Sequence, residues 1–398
     1  MSTEALRVTV AKPDAGVIGG FERVVQRVVR WLRAQGHEVR VVSVRTDLPV
    51  ESTIGALPSK QLQRASPAFI AHLSQLTAFR RLDLSDADVV ISTQPPSQGI
   101  RHDRHLALFY HHDRAFYDLT ELMIRSGMVA DAELHRELSS LVREADRPAM
   151  DGVQQFVVPS MTVQDRLRRF NGVPRVLPFH AGPGQALGPL SPDADRDRTH
   201  ALCVSRHEFP KRTELFVASA HLVPEVPSVC VGAGALLGRV QQLDNYLDRG
   251  ASIPPEQLWM RPTSASMPRM GPAGTGRVRF VSHVLGNELE RLYREARCVV
   301  APAFDEDYGL TAIEAMAWGA PLVVCEDGGS LAELVSQTGA GEVVEPDHRA
   351  ISDAVRRIAY DPELARHYGA AGREAVEHRF TWSAAFEQLD DALEAVAG

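Results

Sequence analysis

The stretch LRVTVAKPDAGVIGGFERVVQRVVRWLRAQGHEVRVVSV, residues 6–44, reads as strand, loop, helix, strand. Residues 6–10 are a short apolar run. A loop carrying Gly16, Gly19 and Gly20 follows. Phe21, Val24, Val25, Val28, Val29 and Leu32 then recur at i, i+3, i+4, i+7, i+8 and i+11, which is one face of a helix. Gly36 stops that helix, and residues 38–44 are again strand-like. A unit of this kind implies a parallel sheet covered by helices.

The pattern continues outward. Residues 89–92, 106–110 and 156–158 are further strands, and 117–147 is a charged helical excursion. Residues 171–188 are rich in glycine and proline, and 191–198 are polar and charged, so an interdomain linker is expected there. Beyond it the alternation restarts. Strands are expected at 201–205, 228–232, 278–282, 298–301 and 321–325, with helices at 213–221, 288–296 and 310–318 and a helical tail over 365–396. The expected class is α/β, with two doubly wound domains. Residues 243–276, which carry Pro254, Pro255 and Pro272, are expected to be a surface insertion.

A chain of 398 residues can bury a sizeable core without a metal or disulfide staple. Its net charge of −8 argues against a bulk nucleic-acid binder. The charge is uneven: 23 basic and 20 acidic residues lie up to Gln185, and 20 and 31 after it. Cys203, Cys230, Cys298 and Cys325 sit in apolar runs with no metal-like spacing, and read as core residues in a reducing compartment. No stretch approaches the ~18 apolar residues of a membrane span, and no signal-peptide core opens the chain, so a cytoplasmic protein is expected. Arg166, Arg168 and Arg169 are too few for more than weak peripheral membrane contact. Only three lysines stand against forty arginines, so a lysine at a chemically plausible position is informative.

The chemistry concentrates in Asp305-Glu306-Asp307-Tyr308-Gly309-Leu310-Thr311-Ala312-Ile313-Glu314-Ala315-Met316-Ala317-Trp318-Gly319-Ala320-Pro321. A loop bearing Glu306 runs into a helix that begins near Gly309. The helix start offers unpaired N–H groups and partial positive charge to an anion, and Gly309 lets a phosphate approach. Glu314 lies eight positions beyond Glu306, and at ~1.5 Å rise per helical residue the two can be about 10 Å apart. A diphosphate at the helix start would then have a carboxylate on each side for sugar hydroxyls. A second element, Val204-Ser205-Arg206-His207-Glu208-Phe209-Pro210-Lys211-Arg212, places Arg206 and Lys211 just after a strand, where two cations can clamp a diphosphate. Gly19-Gly20 opens the first helix. His111 and His112 follow the strand ending Phe109-Tyr110, and Val284 lies in the turn after the strand at 278–282.

Together these motifs resemble the family 4 retaining glycosyltransferases of the GT-B fold. Their Glu-x7-Glu signature is matched by Glu306 and Glu314, and Glu-Ala-Met-Ala-x-Gly-x-Pro by residues 314–321. The resemblance implies two Rossmann-like domains facing across a cleft. Residues 1–185 would bind the acceptor and 186–375 the donor, with a terminal helix of about 376–398 returning to the first. It implies that Glu306 meets the hydroxyls of the transferred sugar and Glu314 the ribose, with donor contacts from Tyr308, Gly309, Leu310 and Thr311. Arg206 and Lys211 fall on the family's Gly-Arg-x4-Lys-Gly pattern, but Ser205 and Arg212 replace both glycines. Gly19-Gly20 matches a Gly-Gly that faces the diphosphate. His111, or His112 beside it, falls where the family places a histidine near the donor sugar. Val284 belongs to a segment similar to the base-binding loop, and residues 327–335 match as a turn and helix start.

The implied reaction moves a hexosyl group from a nucleotide-diphosphate sugar, most commonly a UDP-sugar, to an acceptor hydroxyl, with retention and a front-face mechanism. The acceptor would be a small molecule, a lipid or a glycan. Asp86-Ala87-Asp88 precedes a strand in the other half and is not placed as the Asp-x-Asp of a metal-dependent transferase, so no metal or other cofactor is expected. Two alternatives share the architecture: a nucleotide-sugar epimerase, and an inactive sugar-nucleotide-binding subunit.

Overall fold

The computed structural model describes residues 5–14, 19–45, 65–185, 187–188, 198–250, 253, 258, 276–282, 284 and 286–397. It divides into two compact units. One comprises Met1–Ala181 with Trp382–Gly398, the other Gly182–Thr381.

The first unit is built on a six-stranded parallel sheet. Its strands are β1 (Arg7–Asp14), β2 (Glu38–Arg45), β3 (Val89–Ser92), β4 (His105–Leu108), β5 (Gln155–Val158) and β6 (Leu177–Pro178), in the order β2-β1-β3-β4-β5-β6. β3 and β4 are buried on both faces, as helix-covered parallel strands are. Helix α1 (Gly20–Ala34) buries Val24, Val25, Val28, Val29 and Leu32, the stripe its sequence period marks. Among the described residues the segment also carries the helices α2 (Pro67–Arg80), α3 (Thr120–Arg125), α4 (Ala132–Asp151) and α5 (Met161–Asn171).

Part of the expected linker is structure. Leu177 and Pro178 pair with Val157 and Val158, and Phe179 and Ala181 are fully buried. Pro178 is tolerated because β6 is an edge strand, where a missing N–H breaks no ladder.

The second unit repeats the plan, with β7 (His200–Val204), β8 (Ser228–Val231), β9 (Val278–Val281), β10 (Ala296–Ala301), β11 (Leu322–Cys325) and β12 (Gly341–Val344) in the order β12-β11-β10-β7-β8-β9, all parallel. Its helices are α6 (Thr213–Leu222), α7 (Leu237–Asp248), α8 (Asn287–Arg294), α9 (Leu310–Ala317), α10 (Ser330–Thr338), α11 (His348–Tyr360) and α12 (Pro362–His378). All four cysteines are free and buried in its core.

The expected surface insertion at 243–276 begins inside α7. Leu243 is buried, and Leu258 and Ile253 join the same hydrophobic cluster. The remainder of that segment, apart from Gly276, lies outside the described residues beyond Gly250.

The helical tail is two elements with a break at 379–381. α12 stays with the second unit. Gly369 packs so closely on Gly319 that a Cβ there would come within 2.3 Å of the Gly319 carbonyl oxygen, and Arg373 donates to the Ala317 carbonyl at 2.6 Å. The last helix, α13 (Trp382–Ala397), belongs to the first unit. There Phe386 stacks on Trp31 with ring centroids 4.8 Å apart, and Gln388 Oε1 accepts from the His180 N–H at 2.8 Å. The return to the first unit therefore starts at Trp382, not near 376. No helix among the described residues is long and apolar enough to cross a membrane.

Candidate functional site

In an open parallel sheet a crevice forms where successive connections leave in opposite directions. In the second unit that point lies between β7 and β10. β7 leads to β8 on one side, and β10 and β11 lie on the other. The loops that follow these two strands, 205–212 and 302–309, carry Lys211 and Glu306.

These two side chains meet. Lys211 Nζ lies 2.7 Å from Glu306 Oε1 and 2.6 Å from Oε2, with the side chains 20% and 15% exposed. Glu306 is fixed by its backbone. Its N–H donates to the Gly328 carbonyl at 2.9 Å, and its own carbonyl accepts from the Ser330 N–H at 3.1 Å and Oγ at 2.8 Å. Its carboxylate is thereby left for the loop opposite.

Gly309 precedes α9 with φ +83°, a left-handed conformation that favours glycine, and as the cap residue it offers no side chain to the first-turn amides. A Cβ at 309 would lie 2.5 Å from Leu331 Cδ2. Glycine is therefore favoured by the backbone conformation, a reason separate from the phosphate approach expected from sequence. Tyr308 is buried, and Leu310 and Thr311 in the first turn are half-buried.

Glu314, in the second turn, accepts from the Tyr293 hydroxyl at 3.0 Å. Tyr293 is itself buried on α8, so it fixes the carboxylate from the neighbouring helix. Val284 is half-buried just before that helix.

Arg206 is not brought to Glu306. Its Nη1 lies 3.2 Å from Glu208 Oε1, and its side chain is 69% exposed. Its backbone follows Ser205, whose carbonyl is covered by Gly232. A Cβ at 232 would come within 1.9 Å of the Ser205 oxygen, and φ there is +141°. Gly232→Ala is expected to destabilise the chain by on the order of 3 kcal/mol, from overlap and strained φ together. Denaturant midpoints measure this, and an unchanged midpoint would refute the close fit.

Two residues of this loop missed by sequence reasoning are buried. His207 is fully buried with Nδ1 3.2 Å from Thr213 Oγ1, and burial pushes its pKa down. Arg212 is 2% exposed and adopts φ +48°. The signal for Arg212 was its place in the sequence, where the similar family carries glycine.

Gly19, Gly20 and His111 belong to the first unit. Gly19 precedes α1, and its own N–H donates to Glu22 Oε2 at 3.0 Å, which places a carboxylate in the first turn. Gly20 is exposed. His111 is half-buried, with Nδ1 2.7 Å from the His112 carbonyl oxygen. His112 is a core residue. Its Nε2 lies 2.7 Å from Asn171 Oδ1, its ring packs 4.3 Å from Tyr117, and burial pushes its pKa down to about 4.

Two parallel α/β units, with charged loops at the switch point of the second, define the GT-B class. A family model described as Glycosyltransferase Family 4 matches residues 18–178, and one described as Glycosyl transferases group 1 matches residues 274–375. The chain belongs to the family 4 glycosyltransferases. It is 37% identical over 285 residues to a glycogen synthase of Mycobacterium tuberculosis, covering 67% of this chain and 61% of that protein. It is 30% identical over 231 residues to a D-inositol 3-phosphate glycosyltransferase of Salinispora tropica, covering 54% and 45%. These matches span less than two thirds of the relatives' own lengths. In fold, a sucrose-phosphate synthase from Thermosynechococcus elongatus superposes with a TM-score of 0.70 over 98% of each chain at 19% identity.

Proposed function

We propose that this chain transfers a hexosyl group from a nucleotide-diphosphate sugar to an acceptor hydroxyl, with retention at the anomeric carbon and without a metal. The observation that carries the proposal is the Lys211–Glu306 pair at the switch point, beside the start of α9, whose cap residue is a glycine. An ammonium carries three N–H donors, so Lys211 can hold Glu306 and a phosphate oxygen at once.

The bond between the anomeric carbon and the diphosphate oxygen breaks as the acceptor oxygen bonds on the same face. The acceptor proton passes to the departing phosphate. Negative charge grows on that phosphate, and Lys211 and the first-turn amides of α9 stabilise it, with Arg206 able to join them only by leaving Glu208. Glu306 orients the hydroxyls of the transferred sugar and lies close to the positive charge developing on its ring. Glu314, held by Tyr293, takes the ribose. Acceptor binding is assigned to the first unit. UDP is the nucleotide proposed. The relatives named above are all enzymes of glycosyl transfer, which favours transfer over epimerisation.

A thermal-shift panel of UDP, GDP and ADP with their sugars, run in EDTA, tests this. A nucleoside diphosphate at 100 times its Kd stabilises by about 2.7 kcal/mol. UDP is expected to raise the melting temperature, and the UDP-sugar to release nucleotide once acceptor is added. A response to no nucleotide would sink the donor assignment. Loss of turnover in EDTA would sink metal independence, and formation of an epimeric sugar from donor alone would replace transfer with isomerisation.

A further inference from the structure

We infer that Arg212 is a positioning residue that holds Lys211 against Glu306, standing in for the glycine of similar chains by a different physical means. The inference rests on the transferase reading for its consequence, but not for its geometry.

The backbone at 212 keeps the left-handed conformation, φ +48°, that a glycine would adopt freely. What the chain has in exchange is a buried guanidinium. Its Nε donates to the Pro302 carbonyl at 2.7 Å, and Nη2 donates to the Ala303 carbonyl at 3.3 Å. Nη1 and Nη2 also grip Asp327 as a fork, at 2.9 Å to Oδ2 and 2.5 Å to Oδ1. The same plane lies over Phe304, with Cζ 5.7 Å from the ring centroid.

One side chain thus joins three loops. The loop after β7 bears Lys211, and the loop after β10 bears Glu306. The turn 326–329, through the Asp327 and Gly328 carbonyls, accepts the N–H groups of Asp305 at 2.8 Å and Glu306 at 2.9 Å. A second tie, from the Phe304 N–H to the Pro210 carbonyl at 2.7 Å, runs beside it. Lys211 is the adjacent residue, so any slide of Arg212 moves its ammonium away from Glu306. A lysine at 212 would supply charge but no planar fork, so it could not make the bidentate grip on Asp327.

The scarcity of lysine makes this measurable. Lys211 is one of three lysines, so acetic anhydride labelling followed by peptide mass spectrometry reads it directly, with Lys12 of the first unit as internal reference. Arg212→Gly, which relieves the backbone and deletes the fork, is expected to raise the Lys211 to Lys12 labelling ratio at least fivefold. It should also lower kcat at least tenfold more than it changes the donor KM. Arg212→Lys should fail to rescue either. Asp327→Asn keeps Arg212 on its two carbonyls and should give a smaller shift in the same direction, which guards against loss of fold in the first variant. An unchanged labelling ratio in both Arg212→Gly and Asp327→Asn would overturn the inference. So would a raised ratio with kcat intact, because the placement would then not serve turnover. If wild-type chain released no nucleotide from any donor, the transferase reading would fall while the labelling ratio still decided the placement.

Discussion

Glu306→Gln is expected to lower kcat by at least about a thousandfold, some 4 kcal/mol of transition-state stabilisation, while leaving the fold intact. The substitution keeps shape and removes charge. What fixes residue 306 is its backbone, through Gly328 and Ser330, and an amide side chain leaves those bonds in place. The stability cost is the loss of one partly exposed ion pair with Lys211, about 1 kcal/mol. The catalytic cost is larger because the proposed site uses the carboxylate to orient the sugar and to face a developing positive charge. Nucleoside diphosphate affinity should hold or rise, since Lys211 loses its competing carboxylate. Lys211→Ala should show the opposite balance, with weaker nucleotide binding. Steady-state kinetics with calorimetry separates the two, and a Glu306→Gln variant of near-normal kcat would remove Glu306 from the chemistry.

The second large effect lies in the first unit and concerns stability. His72, on α2, is buried between two carboxylates. Its Nε2 lies 2.8 Å from Asp146 Oδ1 and its Nδ1 3.2 Å from Asp113 Oδ2, while the Tyr117 hydroxyl donates to the other Asp146 oxygen at 2.8 Å. Burial alone would push the imidazole pKa down, but Asp146 and Asp113 more than offset it and raise it to about 10. His72→Leu leaves a buried carboxylate without its cation and should destabilise by about 3–5 kcal/mol.

The pH dependence has a definite sign. A folded pKa above the unfolded one means that the His72 contribution is complete below about pH 6.5 and is lost as pH rises through about 10. His112 runs the other way. Burial lowers it to about 4, so its contribution is present above about 6.5 and is lost as pH falls. Denaturant titrations from pH 5 to 10 should show stability declining on the alkaline side in wild type, and that decline should be weaker in His72→Leu. An identical alkaline slope in both would show that His72 carries no such linkage.

Much of the fold was legible because local signals agree with it. The apolar stripe from Phe21 to Leu32 fits only one helical period, and five of the six side chains it names are buried, with Phe21 half-buried at the helix start. The helix that follows Glu306 is bounded by Gly309 and Gly319, both at positive φ. Other elements carry weaker signals. β12 is four residues at a sheet edge, with Val343 exposed. β6 hides in a proline-rich stretch because edge pairing tolerates Pro178.

What the sequence determined by itself was the class of the chain and the identity of its charged loops, because periodicity and glycine placement are local properties of the backbone. The pairing of Lys211 with Glu306, 95 residues apart, was decided by the tertiary structure alone. Strand order in the second sheet sets β7 beside β10, and no local pattern encodes which strands become neighbours. The same holds for Arg212. In sequence it is a missing glycine, and only folding brings Pro302, Ala303 and Asp327 around its guanidinium. Arg206 makes the converse point, since its place in the motif is right while its side chain faces Glu208 and solvent. Spacing specifies where a side chain starts, and the packing of distant loops decides what it can reach.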